Sequence, residues 1–193
     1  LINANKIEFI KKKNIISSEG NISAKIKNQY KISSQKIIHY RNLMEFHSGK
    51  KNKITNNFGN IIELDNFEFN AEKELIKAEN IILYDNENNK YFINNSMVNL
   101  KTNEIIGKDV NVDFENSTFG NKKNEPRLKG KSVISNDNET TVYKGVFTTC
   151  KKTDKCPPWQ LSAEKIQHDS KKEIINYKNA LLKVYDIPVM YFP

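Results

Sequence analysis

The chain has 193 residues, 37% of them hydrophobic, with 31 Lys and Arg against 23 Asp and Glu, a formal charge of +8, and two cysteines. Two cysteines exclude a disulfide-dense miniprotein, and no apolar run approaches the ~18 residues that a spanning helix needs. A pI near 9.3 invites nucleic acid as a partner. However, Lys is interspersed with Glu and Asp, the longest basic run is Lys11 to Lys13, and there is no RNP-like aromatic stretch or zinc-knuckle spacing. No nucleic acid is therefore expected, and the charge is assigned to solvated strand faces. The chain opens at Leu1 with neither Met nor a signal-peptide pattern, so a fragment of a longer protein is expected.

Along the chain the apolar period is two rather than 3.6. Ile7 and Phe9 flank Glu8, Phe67 and Phe69 flank Glu68, Ile81 and Leu83 flank Ile82, and Val110 and Val112 flank Asn111. Such alternation predicts strands with one buried face. Glu19-Gly20-Asn21, Asp85 to Asn89, and Asn136-Asp137-Asn138 are the breakers between them. Residues 71–79 have helical propensity, but nine residues between strand patterns are too few for a stable helix, and a hairpin turn is expected. The predicted fold is all-β, built from many short antiparallel strands.

A loose unit recurs: a residue that is usually small, two that are commonly polar, an apolar residue, one spacer, then an aromatic, apolar or His residue. It occurs as Ala4-x-x-Ile7-x-Phe9, Ser34-x-x-Ile37-x-His39, Leu64-x-x-Phe67-x-Phe69, Ala78-x-x-Ile81-x-Leu83, Gly107-x-x-Val110-x-Val112 and Ala163-x-x-Ile166-x-His168. The last two apolar positions share one face of a strand, so each copy offers two side chains to one interior. A single strand pair cannot bury that face, whereas stacked neighbours form a continuous interior. The outcome is an elongated, jelly-roll-like trough whose two unpaired ends are templates for strand addition.

Catalytic signatures are missing. There is no G-x-S-x-G, H-E-x-x-H, P-loop or dinucleotide fingerprint, and His39, His47 and His168 have no ligand spacing with the cysteines. His39 and His168 occupy the apolar-face position of the repeat and are expected to be hydrogen-bonded structural residues. Carboxylates are scattered over polar faces, so no acid/base pair is nominated, and no enzyme, metal or cofactor is expected. Sequons at Asn21, Asn94, Asn116 and Asn138 are what so Asn-rich a chain yields by chance. Cys150 and Cys156 lie five residues apart in a loop. They could close locally, bind a metal weakly, stay free or pair elsewhere, and in an oxidising compartment a disulfide is the favoured fate.

The last third carries specific motifs: Asn124-Glu-Pro-Arg127-Leu-Lys-Gly130, Lys144-Gly-Val-Phe147-Thr-Thr-Cys150, Pro157-Pro-Trp159-Gln, Ala163-Glu-Lys-Ile166-Gln-His168-Asp169, Tyr177-Lys-Asn-Ala180 and Ile187-Pro-Val-Met-Tyr191-Phe-Pro193. In this order they resemble the lipopolysaccharide-assembly family LptD, also called OstA or Imp. Residues 1 to about 115 resemble it only through the looser OstA repeat, shared with the bridge component LptA and with LptC. The resemblance implies a single periplasmic OstA-like domain over 1–193, a V-shaped β-jelly roll with an open apolar groove. Residues from about 187 to 193 would begin the connection to a C-terminal outer-membrane barrel. It implies transport of lipopolysaccharide with its acyl chains in the groove and its sugars in water. The implied partners are an LptA-like bridge protein at the N-terminal edge, the protein's own barrel and an LptE-like lipoprotein plug. The groove candidates are the inward repeat positions Ile7, Phe9, Ile37, Phe67, Phe69, Ile81, Leu83, Val110, Val112 and Ile166. By resemblance Cys150 occupies the place of a cysteine that joins the periplasmic domain to the barrel, and Cys156 departs from the family pattern.

Three rival readings remain. One is a free-standing LptA-like bridge protein, against which the C-terminal motifs speak. Another is a basic β-domain that binds an anionic glycan or nucleic acid, and the third is a structural plug that docks on the barrel without touching lipid.

Overall fold

The computed structural model describes residues 2–26, 30–49, 51–57, 59–153, 158–169, 171–172 and 174–193. Among them the first strands are β1 (Ile2–Asn3), β2 (Lys6–Ile10), β3 (Ile15–Ile26), β4 (Tyr30–Tyr40), β5 (Glu45–Ser48), β6 (Asn52–Asn56), β7 (Ile61–Leu64) and β8 (Phe67–Asn70). They are followed by β9 (Leu75–Tyr84), β10 (Lys90–Asn99), β11 (Glu104–Asp113), β12 (Arg127–Ser135), β13 (Glu139–Thr148), β14 (Trp159–Asp169), β15 (Ile174–Val184) and β16 (Ile187–Phe192). All belong to one antiparallel sheet. β1 and β2 pair with the two halves of β3, and β5/β8 and β6/β7 bridge the two halves of β4 to the two halves of β9. β1 with β2, β5 with β6, and β7 with β8 are therefore each one interrupted leg, and the chain is an up-and-down meander from Ile2 to Phe192. This is the all-β antiparallel class expected from the alternation.

Every leg but the last, β16, is bent or interrupted in the middle. Hydrogen-bonded pairing skips Asn80 and Asn94 between β9 and β10, Asp109 and Lys131 between β11 and β12, and Glu164 and Asn179 between β14 and β15. At the same positions the burial pattern runs buried, exposed, exposed, buried, as in Ser34 to Ile37, Ala78 to Ile81, and Gly107 to Val110. In a straight strand residues i and i+3 point to opposite faces. A crease turns both into the same interior, and this is the physical content of the small-polar-polar-apolar repeat. Asn21, Asn80, Asp109, Lys144 and Asn179 make the bend with φ of 47° to 51°. Asn and Asp tolerate this left-handed region better than other non-glycine residues.

The crease is polar outside and tight inside. Lys131 Nζ meets Asp109 Oδ1 at 3.0 Å, Asn179 donates to Glu164, and the Tyr191 hydroxyl donates to Asn179 Oδ1 at 2.7 Å. At the inner elbow, a Cβ on Gly107 would lie 2.8 Å from Ile93 Cγ2 and 2.9 Å from Val133 Cγ1, so the position admits only hydrogen. Where β5 and β6 part, the side chain of Asn52, 3% exposed, binds Ser48 Oγ and the carbonyls of Gly49 and Asp65. It stands in for the ladder bonds that the break removes.

Two local expectations are corrected. Glu19-Gly20-Asn21 does not separate strands but forms an irregularity inside β3, because the meander needs a bend there rather than a reversal. Residues 71–79 divide into a turn over 71–74 and the start of β9 at Leu75, since Leu75 and Ile76 pair with Asn70 and Phe69.

Candidate functional site

The crease divides the sheet into two half-sheets whose apolar faces meet. The first contains β2, β5 and β8, and the second contains β1, β6, β7 and β16, with each long strand contributing one half to each. Ile37, Phe67 and Ala78 of the first pack with Ile22, Ile32, Ile54, Leu64 and Ile81 of the second. Further along, Val133, Val142 and Ile166 pack with Val110, Val112, Ala163 and Ala180. Ile93 touches both clusters and joins them.

Cross-strand register gives each half-sheet two inward rows. In the first half-sheet the row at the crease runs from Ile7 through Ser18, Ile37, Ser48, Phe67, Ala78, Ser96, Gly107, Val133, Val142 and Ile166 to Tyr177, and every member between the two exposed end residues is buried. The row beyond it runs Phe9, Ile16, His39, Phe46, Phe69, Ile76, Val98, Ile105, then Ser135, Thr140 and His168, and none is buried. Burial that falls away from the crease means that the half-sheets diverge, leaving an apolar lip reachable by solvent. In the second half-sheet the lip row is Ile2, Ala24, Ile32, Ile54, Ile62, Leu83, Tyr91, Val112, Leu128, Phe147, Leu161, Leu182, Met190. It takes one side chain from every leg without a break. At ~4.8 Å per strand spacing the ribbon is about 58 Å long.

All ten groove candidates fall on these inward rows. Ile37, Phe67, Ile81, Val110 and Ile166 are buried at the crease, Val112 is a buried member of the lip row, and Phe69 and Leu83 are half-buried at the lips. Ile7 and Phe9 face the same interior but lie on the edge leg, 57% and 49% exposed. The sequence reading missed the remainder of the lip, chiefly Phe46, Ile62, Tyr91, Leu128, Phe147 and Leu161, because these residues lie outside the repeat unit and become neighbours only through pairing. Their alternation with polar residues was the available signal.

Rings thicken both lips. His39 stacks on Phe46 with centroids 4.1 Å apart, and Phe46 faces Phe69 at 6.0 Å. Phe147 contacts Phe114, Phe119 and Trp159 at 6.3, 5.2 and 5.9 Å. The expectation of hydrogen-bonded structural histidines is corrected. His39 Nε2 has no hydrogen-bond partner among the described residues, and burial followed by the nearby Arg41 charge holds its pKa below the usual imidazole value. His168 is exposed at the end of the lip row. At one mouth Tyr91 OH donates to Asp85 Oδ2 at 2.9 Å, Asn89 Nδ2 donates to the same atom at 2.9 Å, and burial with this carboxylate pushes the Tyr91 phenol well up.

The outward faces differ in charge. On the second half-sheet the outward strand positions carry Lys25, Lys31, Lys53, Lys90, Arg127, Lys129 and Lys183 against Glu63 and Asp113. On the first they carry Lys6, Lys36, Lys77, Lys108, Lys165 and Lys178 against Glu8, Glu19, Glu45, Glu68, Glu79, Glu104, Glu139 and Asp169. At the outward strand positions the second half-sheet is thus basic and the first slightly acidic. Among the described residues, no group of three His, Cys, Asp or Glu side chains could hold a metal. Cys150 Sγ lies 3.6 Å from the Trp159 carbonyl, and Cys156, the other disulfide candidate, lies outside the described residues.

No protein-family model matches the chain. Over 63 residues, 33% of the chain, it is 41% identical to the LPS-assembly protein LptD of Shewanella frigidimarina, and over the same length 40% identical to that of Shewanella denitrificans. These matches span 8% of the length of either relative. Among solved structures it is similar to LptH, the LptA homologous periplasmic component of the lipopolysaccharide transport device of Pseudomonas aeruginosa. That similarity has 10% identity and a TM-score of 0.25 over 92% of this chain and 80% of the other.

Proposed function

We propose that the chain is a periplasmic segment of an LptD-type protein that carries lipopolysaccharide, with the acyl chains lying between the two half-sheets. The observation that carries this reading is the unbroken apolar lip from Ile2 to Met190, closed over at Ala24, Ile32 and Ile54 and reachable from solvent from Ile62 onward except at Val112. Each CH₂ withdrawn from water is worth about 0.8 kcal/mol, so a ribbon of constant character lets a fatty tail slide without a step in free energy. No covalent chemistry is needed.

The identity to proteins named LptD supports an outer-membrane setting. In that setting the unpaired edge of β1 and β2 takes a strand from an LptA-like bridge protein, and Ile7 and Phe9 continue the apolar face into it. The six exposed residues of β16 then lead towards the barrel and its LptE-like plug. Cys150, close to the aromatic cluster, is a candidate for a disulfide with that barrel.

The test is site-specific photo-crosslinking to lipopolysaccharide at Phe69 and Leu83 on the lips and at Val112 deeper in, with Ile82 and Lys77 on outward faces as controls. Adducts at the lip positions and none at the controls are expected. Equal labelling at Ile82, or none at any inward position, refutes an open groove.

A further inference from the structure

We infer that the outward face of the second half-sheet holds a binding site for a phosphorylated saccharide, centred on Lys129. A hollow of about 460 Å³ opens there, lined among others by Asn111, Asp113, Arg127, Lys129, Lys152 and Gln160. Two of its cations are held in place. Arg127 donates to the carbonyls of Glu125, at 3.1 Å, and Cys150, and Lys152 Nζ lies 2.8 Å from Asp113 Oδ2. Lys90 rests over the Phe92 ring at 4.6 Å, on the rim. Lys129 makes no ion pair among the described residues, and the carboxylate that lines the hollow, Asp113, is already taken by Lys152, so the Lys129 charge is left for a ligand.

The composition of the hollow selects the ligand. Cations alone would suit any anion, but here they alternate with neutral amides. Asn111 sits between Phe92 and Lys129 in the cross-strand row, and Gln160 spends its Nε2 on Asp186, which leaves its carbonyl oxygen to accept. Ammonium and guanidinium groups recognise phosphate oxygens, and amides recognise sugar hydroxyls. A planar bilayer cannot enter a hollow between strands, which favours a saccharide over a membrane surface. The larger hollow on the first half-sheet, about 770 Å³, mixes Glu68 and Glu79 with Lys77 and Lys108 and has no such preference.

The place in the fold gives the site its use. Asn111 and Lys129 alternate along their strands with Val112 and Leu128, which form the apolar lip on the opposite side of the same sheet. An amphiphile whose tails lie inside the lip can fold its phosphorylated head around the edge into the hollow, one strand pair holding both ends. This use rests on the proposed carriage of lipopolysaccharide, but binding of the head group does not.

The experiment is an amide NMR titration of the whole chain with an acyl-free bisphosphorylated glucosamine disaccharide. The unphosphorylated disaccharide, inorganic phosphate and phosphatidylglycerol vesicles are run in parallel. Shifts at Asn111, Lys129 and Gln160 are expected with the phosphorylated sugar. Lys129→Gln should weaken binding about three- to tenfold, Lys90→Gln less, and Lys77→Gln on the other face not at all. Equal response to inorganic phosphate, binding only to vesicles, or indifference to Lys129→Gln overturns the inference. A spin-labelled fatty acid that broadens Phe69 and Leu83 reports the groove separately, so either site can fail alone.

Discussion

Replacing Gly107 by Ala tests the crease most directly. The added methyl would sit 2.8 Å from Ile93 Cγ2 and 2.9 Å from Val133 Cγ1. Both contacts are about 0.6–1.2 Å inside the carbon-carbon optimum of ~3.5–4.0 Å. Ile93 and Val133 are β-branched, on the two strands flanking Gly107, and stiff at χ1, so neither can swing aside. Overpacking of this kind costs about 1–3 kcal/mol, against a gain of roughly 0.4–1 from the less flexible unfolded chain, for a net loss near 1–2 kcal/mol. Val133→Ala alone removes two buried carbons and should cost about 2–3 kcal/mol. In the double variant the methyl added at Gly107 takes part of the vacated space, so the pair should be about 1 kcal/mol more stable than the sum of the singles. Urea unfolding followed by far-ultraviolet circular dichroism measures this, with unchanged slope as the sign that the native state is intact. Strict additivity, or a stabilised Gly107→Ala, would show that the elbow is not sterically closed.

The bend predicts an opposite effect at Lys144, whose φ of 50° is unfavourable for lysine. Lys144→Gly should raise stability by about 0.5–1 kcal/mol in the same urea assay, the relieved strain of ~1–2 kcal/mol exceeding the entropy lost to glycine. Asn52→Ala strips the carbonyls of Gly49 and Asp65 of their donor and should cost about 2–3 kcal/mol, read as a lower midpoint. His39 provides a pH signature. Its folded pKa lies below the ordinary 6.5, so the unfolded chain takes up the proton first. Stability should be full above that value, fall as the pH drops through it, and level off below the depressed folded pKa. His39→Phe should remove this component from the pH profile of the unfolding midpoint, and an unchanged profile would mean that another group is responsible.

Much of the architecture was legible in local chemistry. Alternation of period two gave the all-β class, and the Asn-rich breakers at 85–89 and 136–138 gave real reversals, because period and turn propensity act over a few residues. The inward positions were legible for the same reason: Ile37, Phe67, Ile81, Val110 and Ile166 lie where the repeat puts them. The repeat itself held more than its apolar pair. Its small first residue and two polar residues encode the crease, which has no meaning until two half-sheets exist to be folded together. Glu19-Gly20-Asn21 looked like a turn for that reason, since a bend within a strand and a reversal between strands use the same residues.

Only tertiary pairing decided the rest. The lip from Ile2 to Met190 draws one side chain from each leg, and its continuity depends on register between strands up to tens of residues apart, which no local pattern specifies. His39 lost the partner expected of it because pairing stacked it on Phe46 instead. The charge told the same story. Lysines evenly spread along the chain become a basic face only when alternate halves of successive strands are gathered into one half-sheet, so a sequence that reads as uniform folds into a molecule with two unlike sides.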